Sequence, residues 1–140
     1  MNAITDISLW ALIRHLRQWL TNLRRAGNER KRQSIEALRK VIVAARSTRA
    51  YLRRLKDTAQ QDHGQEANLS AMWTELGFVL QDLGLDSLAK RCDVTGRYWA
   101  DPEQLDREFL DKADVGLERM EQLARQLVAE TERGQSTRSK

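Results

Sequence analysis

Residues 29–60 contain neither glycine nor proline, and their apolar side chains recur every three or four positions. This spacing places the apolar side chains on one face of a helix. They are Ile35, Leu38, Val41, Ile42, Ala45, Leu52 and Leu55. At 1.5 Å per residue, a helix of about 32 residues is roughly 48 Å long. A rod of this length buries its apolar face most readily against other long helices, which favours a helical bundle.

Similar apolar stripes lie before and after this segment. The first follows Asp6, a suitable N-cap, and ends at the sequence AGN, where Gly27 suits the left-handed C-terminal position. Asn28 is then expected to cap the second helix. A polar loop is predicted for residues 60–68, and Asn68 is expected to cap the third helix.

The second half of the chain predicts a short helix and a long one. Gly84 is expected to break the third helix, and residues 85–98 then form a short helix that gives way to an irregular turn near Gly96. The sequence ADPEQL is a typical helix start, with Asp101 as N-cap and proline next. The last helix is expected to span residues 102–132.

These segments predict an all-α fold, an antiparallel four-helix bundle with long helices and a short extra helix near 85–98. We expect one domain over residues 1–133 and a polar flexible tail over 134–140. No apolar run approaches the roughly 20 residues needed to cross a membrane. With no recognisable export signal and a single cysteine, Cys92, a cytoplasmic location is expected.

Charge is distributed unevenly along the chain. Residues 1–56 hold 14 Lys and Arg against 3 Asp and Glu, a net charge of +11, whereas residues 57–140 hold 10 against 17, a net charge of −7. The two values sum to the formal +4 of the whole chain. The basic part could therefore attract the acidic part within one bundle, or it could face an external polyanion.

The basic part contains four arginines spaced seven residues apart, which we call the arginine ladder: Arg32, Arg39, Arg46 and Arg53. Residues at this spacing share one face of a helix. The ladder could neutralise phosphates, which would give binding that is independent of sequence and sensitive to salt. Alternatively, it could pair with acids of the last helix or simply solvate the bundle. Carboxylates within about 4 Å of Arg39 and Arg46 would indicate a structural role.

Arg49 lies beside the ladder, at a position where the apolar stripe predicts a core residue. A buried guanidinium needs a carboxylate or carbonyl partner, because an uncompensated buried charge costs several kcal/mol. Arg49 could therefore form an internal ion pair, extend its charged end to the surface, or line a polar pocket for an anionic ligand.

Two tryptophans, Trp10 and Trp19, lie at the edges of the first apolar stripe. Aromatic side chains are enriched at the centres of protein interfaces, so both are candidates for partner or subunit contact. Packing at the edge of the bundle is an equally reasonable interpretation.

Metal and nucleophile motifs are missing from the sequence. His15, His63 and Cys92 lie on three separate segments, and none of them forms a pair at helical spacing. Lys90 and Arg91 adjoin Cys92, but adjacency alone is a weak signal for a reactive thiol. We therefore expect no metal, no cofactor and no catalytic residues.

Three functional hypotheses follow. The first is a non-enzymatic helical interaction module, a small accessory or adaptor subunit of a larger assembly that binds a protein partner or itself. The alternative is a nucleic-acid-binding accessory protein that contacts phosphates through the ladder, assisted by Arg14, Arg17, Arg24 and Arg25. The third is an enzyme or small-molecule sensor with a pocket around Arg49.

Overall fold

The computed structural model describes residues 9–138, with side chains described for residue 14 and residues 16–133. These residues form five α-helices and no strand, which confirms the predicted all-α helical bundle. The short helix predicted near 85–98 is the fourth of them, and it is nearly as long as the first. The helices are α1 (Leu9–Arg24), α2 (Asn28–Thr58), α3 (His63–Asp82), α4 (Asp86–Ala100) and α5 (Arg107–Arg138).

The helices pack as two extensively contacting pairs, α2 with α5 and α3 with α4, and α2 also packs on α3. Ion pairs show that α2 and α5 are antiparallel. Arg39 of α2 pairs with Glu132 of α5, and Lys56, near the other end of α2, pairs with Asp111. Helix α1 lies against α5 and α4. Each helix therefore buries its apolar face against at least one long neighbour.

The core is continuous through these contacts, and its largest fully buried side chain is that of Trp73 on α3. Because a buried indole N–H needs an acceptor, Trp73 Nε1 donates to Thr48 Oγ1 of α2 at 2.9 Å. The threonine hydroxyl in turn donates to Ala44 O at 2.8 Å. This chain of hydrogen bonds fixes the register of α3 on α2.

Two predicted helix starts differ from the structure. Gly27 has an extended backbone at the N-cap of α2, and not the predicted left-handed one, while Asn28 is already the first helical residue. Helix α3 begins five residues before the predicted cap at Asn68, because Asp62 caps it by accepting from Gln65 N at 3.0 Å. Most of the predicted loop 60–68 is therefore helical.

The second half shows similar differences. Helix α4 continues through Gly96 to Ala100, in place of the predicted turn. The predicted start at Asp101 is wrong, since α5 begins at Arg107 and Asp106 accepts from Phe109 N at 3.2 Å. At the other end, α5 continues to Arg138. The flexibility predicted for the tail and the predicted domain limits stay predictions.

A close approach between α3 and α4 explains why Gly96 lies within a helix. One of its Cα hydrogens faces α3, and a methyl group there would lie 3.1 Å from Thr74 N and 3.2 Å from Ser70 O. Ser70 Oγ donates to Gly96 O at 2.8 Å. On the other helix, a methyl group at Gly77 would lie 3.3 Å from Ala89 O. These glycines let the two backbones approach closely. The resulting short distance between α3 and α4 determines the shape of the surface between them.

Within residues 9–138, none of the helices has the length and apolar character needed to cross a membrane.

Substituting Gly96 tests this close approach. We expect Gly96→Ala to destabilise the protein by about 1–3 kcal/mol, because the methyl group would overlap α3 and force the helices apart. The matched control is Gly64→Ala in the first turn of α3, where the nearest atom outside the adjacent residues is Asp62 Oδ1 at 3.4 Å. This control should leave stability unchanged or raise it by up to about 1 kcal/mol. Urea unfolding measures both, and equal stability of the two variants would contradict the close approach.

Candidate functional site

The middle of the arginine ladder is paired with acids of α5. Arg39 Nη2 lies 3.1 Å from Glu132 Oε2, and Arg46 Nε donates to Glu121 Oε2 at 2.9 Å. Both distances fall within the 4 Å that indicates a structural role. The carboxylate of Glu121 is buried, whereas the arginine above it is largely exposed. These two arginines therefore neutralise acids of the protein itself.

Arg49 makes the most extensive of these contacts. Its Nε donates to Asp114 Oδ1 at 2.8 Å, and its Nη1 lies 3.7 Å from Glu121 Oε1. Its Nη2 lies 4.0 Å from Glu118 Oε2. The hydrogen bond to Asp114 raises the pKa of the guanidinium although partial burial opposes the charge. The internal ion pair is thus the alternative that the structure supports for this residue.

The two ends of the ladder behave differently. Arg32 pairs with Glu29 of its own helix at 2.7 Å, on the exposed surface. Arg53 is exposed and forms no ion pair with any residue whose side chain is described. An unpredicted contact, Lys56 Nζ to Asp111 Oδ1 at 3.1 Å, continues the α2–α5 series instead. The ladder is therefore not one uniform surface.

Of the two tryptophans predicted to contact a partner, Trp19 belongs to the core. Only 7% of Trp19 is exposed, and its Nε1 donates to Leu83 O at 2.9 Å. Its ring is packed and its N–H is satisfied within the chain, which agrees with the alternative of packing at the edge of the bundle, while partner contact stays a prediction. The side chain of Trp10 lies outside the described residues.

A polar cluster that the sequence did not indicate joins α2 to α3. The carboxylate of Glu66 is buried, and Tyr51 OH donates to its Oε2 at 2.6 Å. Gln61 Nε2 donates to the same oxygen at 3.1 Å, and His63 Nδ1 lies 3.1 Å from Oε1. Sequence reasoning misses Glu66 because the residue falls within the predicted loop.

This cluster stabilises ionised Glu66. Burial by itself raises the pKa of the carboxyl, but hydrogen bonds from Tyr51, Gln61 and His63 outweigh it and lower the pKa. The same burial and hydrogen bond raise the pKa of Tyr51 to about 12. The three donors occupy both carboxylate oxygens. The cluster therefore links the C-terminal part of α2 to the start of α3 through hydrogen bonds.

The cysteine is poorly suited to nucleophilic chemistry. Cys92 is fully buried in α4, and burial raises its thiol pKa to about 12 although Arg91 opposes the shift. A thiol becomes a good nucleophile only as the thiolate. Among the residues whose side chains are described, no three His, Cys, Asp or Glu residues cluster closely enough to hold a metal ion.

A surface groove lies between α3 and α4, beside the glycine contacts. It has a volume of about 360 Å³, and Phe78 is the one aromatic residue among those that line it. The residue is 61% exposed, which is unusual for phenylalanine. The lining residues are Thr74, Gly77, Phe78, Gln81, Asp86, Ala89, Lys90 and Asp93.

A second cavity, of about 680 Å³, has the exposed Val43 of α2 in its wall. Its walls include Arg32, Arg39 and Glu132, whose charged ends already form ion pairs. Arg49 lines neither this cavity nor the α3–α4 groove. Neither cavity therefore supplies the predicted ligand pocket around Arg49, which stays a prediction.

Comparisons with known protein families, with curated proteins and with solved structures found no match to this chain.

The Glu66 cluster predicts a specific dependence of stability on pH. Because the pKa of the carboxyl is lowered in the folded state, its contribution is present above the ordinary value of 4.5 and is lost as the pH falls through the folded value. We expect Glu66→Gln to cost about 1–3 kcal/mol near neutral pH. This difference from the wild type should narrow in acid, where the wild-type carboxyl also becomes neutral.

Urea unfolding at a series of pH values measures that difference. Glu75→Gln is the matched control, because Glu75 is an exposed acid of the same helix with no ion pair to the described side chains. It should follow the wild-type curve. A Glu66→Gln difference that stays constant from neutral to acidic pH would contradict the role assigned to the ionised carboxylate.

Proposed function

We propose that this chain is a non-enzymatic helical interaction module, an accessory or adaptor subunit that binds a protein partner in the groove between α3 and α4. The exposed ring of Phe78 is the observation that carries the proposal. Aromatic side chains that fill a pocket on a partner dominate the binding energy of many interfaces. Its neighbour Val79 is also exposed, about 100° around α3 from Phe78, and does not line the groove.

The groove is formed by rigid elements. Close packing at Gly77 and Gly96 fixes the separation of α3 and α4, so the groove exists before a partner arrives. A preformed site loses less conformational entropy on binding than a flexible one. This supports recognition of a partner by shape as well as by charge.

The charge around Phe78 indicates the chemistry of the partner. Helix α3 contains no lysine or arginine, and Glu75 and Asp82 lie on its exposed side. Asp86 at the start of α4 adds a third acid to this side. Lys90 of α4 also lines the groove and carries the opposite charge, so the acids near Phe78 are in excess but are not alone. None of these three acids forms an ion pair with a described side chain. A helix with an apolar anchor flanked by lysine or arginine would complement this surface.

Buried Cys92 and the occupied Glu66 carboxylate support a function without catalysis. The proposal places the chain in the cytoplasm, where a single free cysteine is compatible with the reducing environment. Self-association through the groove is the other form of the same function, with a second copy as the partner.

Photo-crosslinking tests the proposal directly. Benzoylphenylalanine at position 78 should capture a partner in cells, whereas the same group at position 115, an exposed valine of α5, should not. Mass spectrometry then identifies the captured chain, including a second copy of this one. We expect Phe78→Ala to weaken binding of the purified partner at least tenfold, about 1.4 kcal/mol.

The stability of Phe78→Ala provides the control for folding. Because the ring is exposed, its removal should change the free energy of unfolding by no more than about 0.5 kcal/mol. Equal crosslinking at positions 78 and 115, or unchanged binding by a folded Phe78→Ala variant, would contradict the proposal.

A further inference from the structure

The four arginines of α1 and its C-terminal turn form an exposed basic face that makes no ion pair with the described acids. Arg14, Arg17, Arg24 and Arg25 are all exposed. At 3.6 residues per turn they fall within an arc of about 100° on the helix, opposite the buried side chains. The face extends about 16.5 Å along the axis from the first arginine to the last.

These arginines differ from the ladder in their surroundings. Arg39 and Arg46 each contact a carboxylate of α5, whereas none of the four α1 arginines forms an ion pair with a described side chain. Residues 14–30 contain five arginines and one acid, Glu29, a net charge of +4. That single acid is held by Arg32 at 2.7 Å.

Arg30 adds a fifth cation at the edge of this face. A surface cavity of about 200 Å³ joins it to Gln18 and Asn22, two amides on the polar side of α1. Arg30 also forms no ion pair with a described side chain. We call the five residues the α1 basic face: Arg14, Arg17, Arg24, Arg25 and Arg30.

We propose that the α1 basic face binds the phosphate backbone of double-stranded nucleic acid without reading its sequence. Duplex DNA carries one negative charge for about every 1.7 Å of its axis, so a segment as long as this face presents roughly ten phosphates. Guanidinium groups bind phosphate oxygens through directional, charge-assisted hydrogen bonds. Single-strand binders stack bases on exposed aromatic rings, and the aromatic ring that the structure describes on α1, that of Trp19, is buried; this favours a duplex.

The packing of α1 argues against a lipid surface as the occupant. A helix that lies in a membrane interface inserts its apolar face among the lipids. Here the apolar side chains Leu16, Leu20 and Leu23 are buried in the protein core, and Trp19 is hydrogen bonded to Leu83 O. The exposed side chains that the structure describes on α1 are all charged or polar, which suits the dense phosphates of a duplex.

Fluorescence anisotropy of the full chain with a labelled DNA duplex of mixed sequence tests the proposal. We expect binding at low salt, and an affinity that falls steeply as salt rises from about 50 to about 200 mM. Arg17→Gln/Arg24→Gln should weaken binding several-fold. It should also make the slope of log K against log salt shallower by about 0.9 for each phosphate that is no longer neutralised, hence about 1.8. Arg14→Gln/Arg25→Gln should do the same from other positions on the face.

The matched control is Arg53→Gln/Arg54→Gln, which removes two exposed arginines of α2 and changes the net charge equally. It should leave affinity within about twofold of the wild type and the salt slope unchanged. Circular dichroism checks that all three variants stay folded. This test is independent of the α3–α4 groove, because Phe78→Ala should bind the duplex as the wild type does.

Several results would overturn the proposal. One is an absence of binding at low salt, and another is an equal loss of affinity in the α1 and α2 variants, which would indicate a response to net charge only. Tighter binding to vesicles of phosphatidylserine and phosphatidylcholine than to the duplex would assign the face to a membrane. Tighter binding to polyglutamate would assign it to an acidic protein.

Discussion

The antiparallel contact between α2 and α5 is the constraint on which the charge distribution of this protein depends. Arg46 and Arg49 of α2 converge on the buried carboxylate of Glu121, while Lys56 and Arg39 extend the series toward the two ends of α2. A buried carboxylate without a cation would be strongly destabilising, so these side chains are committed to the fold. The arginines of the α1 basic face take no part in this contact and carry part of the positive charge that it leaves uncompensated.

The apolar side chains of α3 likewise separate into those buried in the fold and those left exposed. Trp73 and Leu80 are fully buried, and Gly77 faces α4, so the helix is packed on two sides. Phe78 lies on the remaining side and stays exposed. The two surfaces proposed for binding are therefore what remains after the packing requirements of α3 and α1 have been met. They differ in charge, since acids outnumber cations near Phe78 and arginines cover the exposed side of α1.

The sequence predicts the helices well because a long apolar stripe has few alternative structures, but it predicts their starts poorly. Asp62 and Asn68 can both cap α3, and Asp101 and Asp106 can both precede α5. The choice depends on tertiary contacts, such as the burial of Glu66, that no local pattern contains. Phe78 does carry a signal in the sequence, since it is an aromatic residue off the stripe of buried positions. The pairing of the ladder cannot be predicted, because one sequence does not fix which helices are neighbours.

A double-mutant cycle between Arg49 and Asp114 tests the α2–α5 contact most directly. Unfolding free energies of the wild type, Arg49→Met, Asp114→Asn and the double variant give the coupling between the two side chains. The 2.8 Å hydrogen bond predicts a coupling of about 1 kcal/mol. The same cycle with Arg53→Met in place of Arg49→Met should be additive. Additivity of Arg49 and Asp114 within about 0.3 kcal/mol would contradict the pairing, and with it the role given to the α2–α5 ion pairs in the fold.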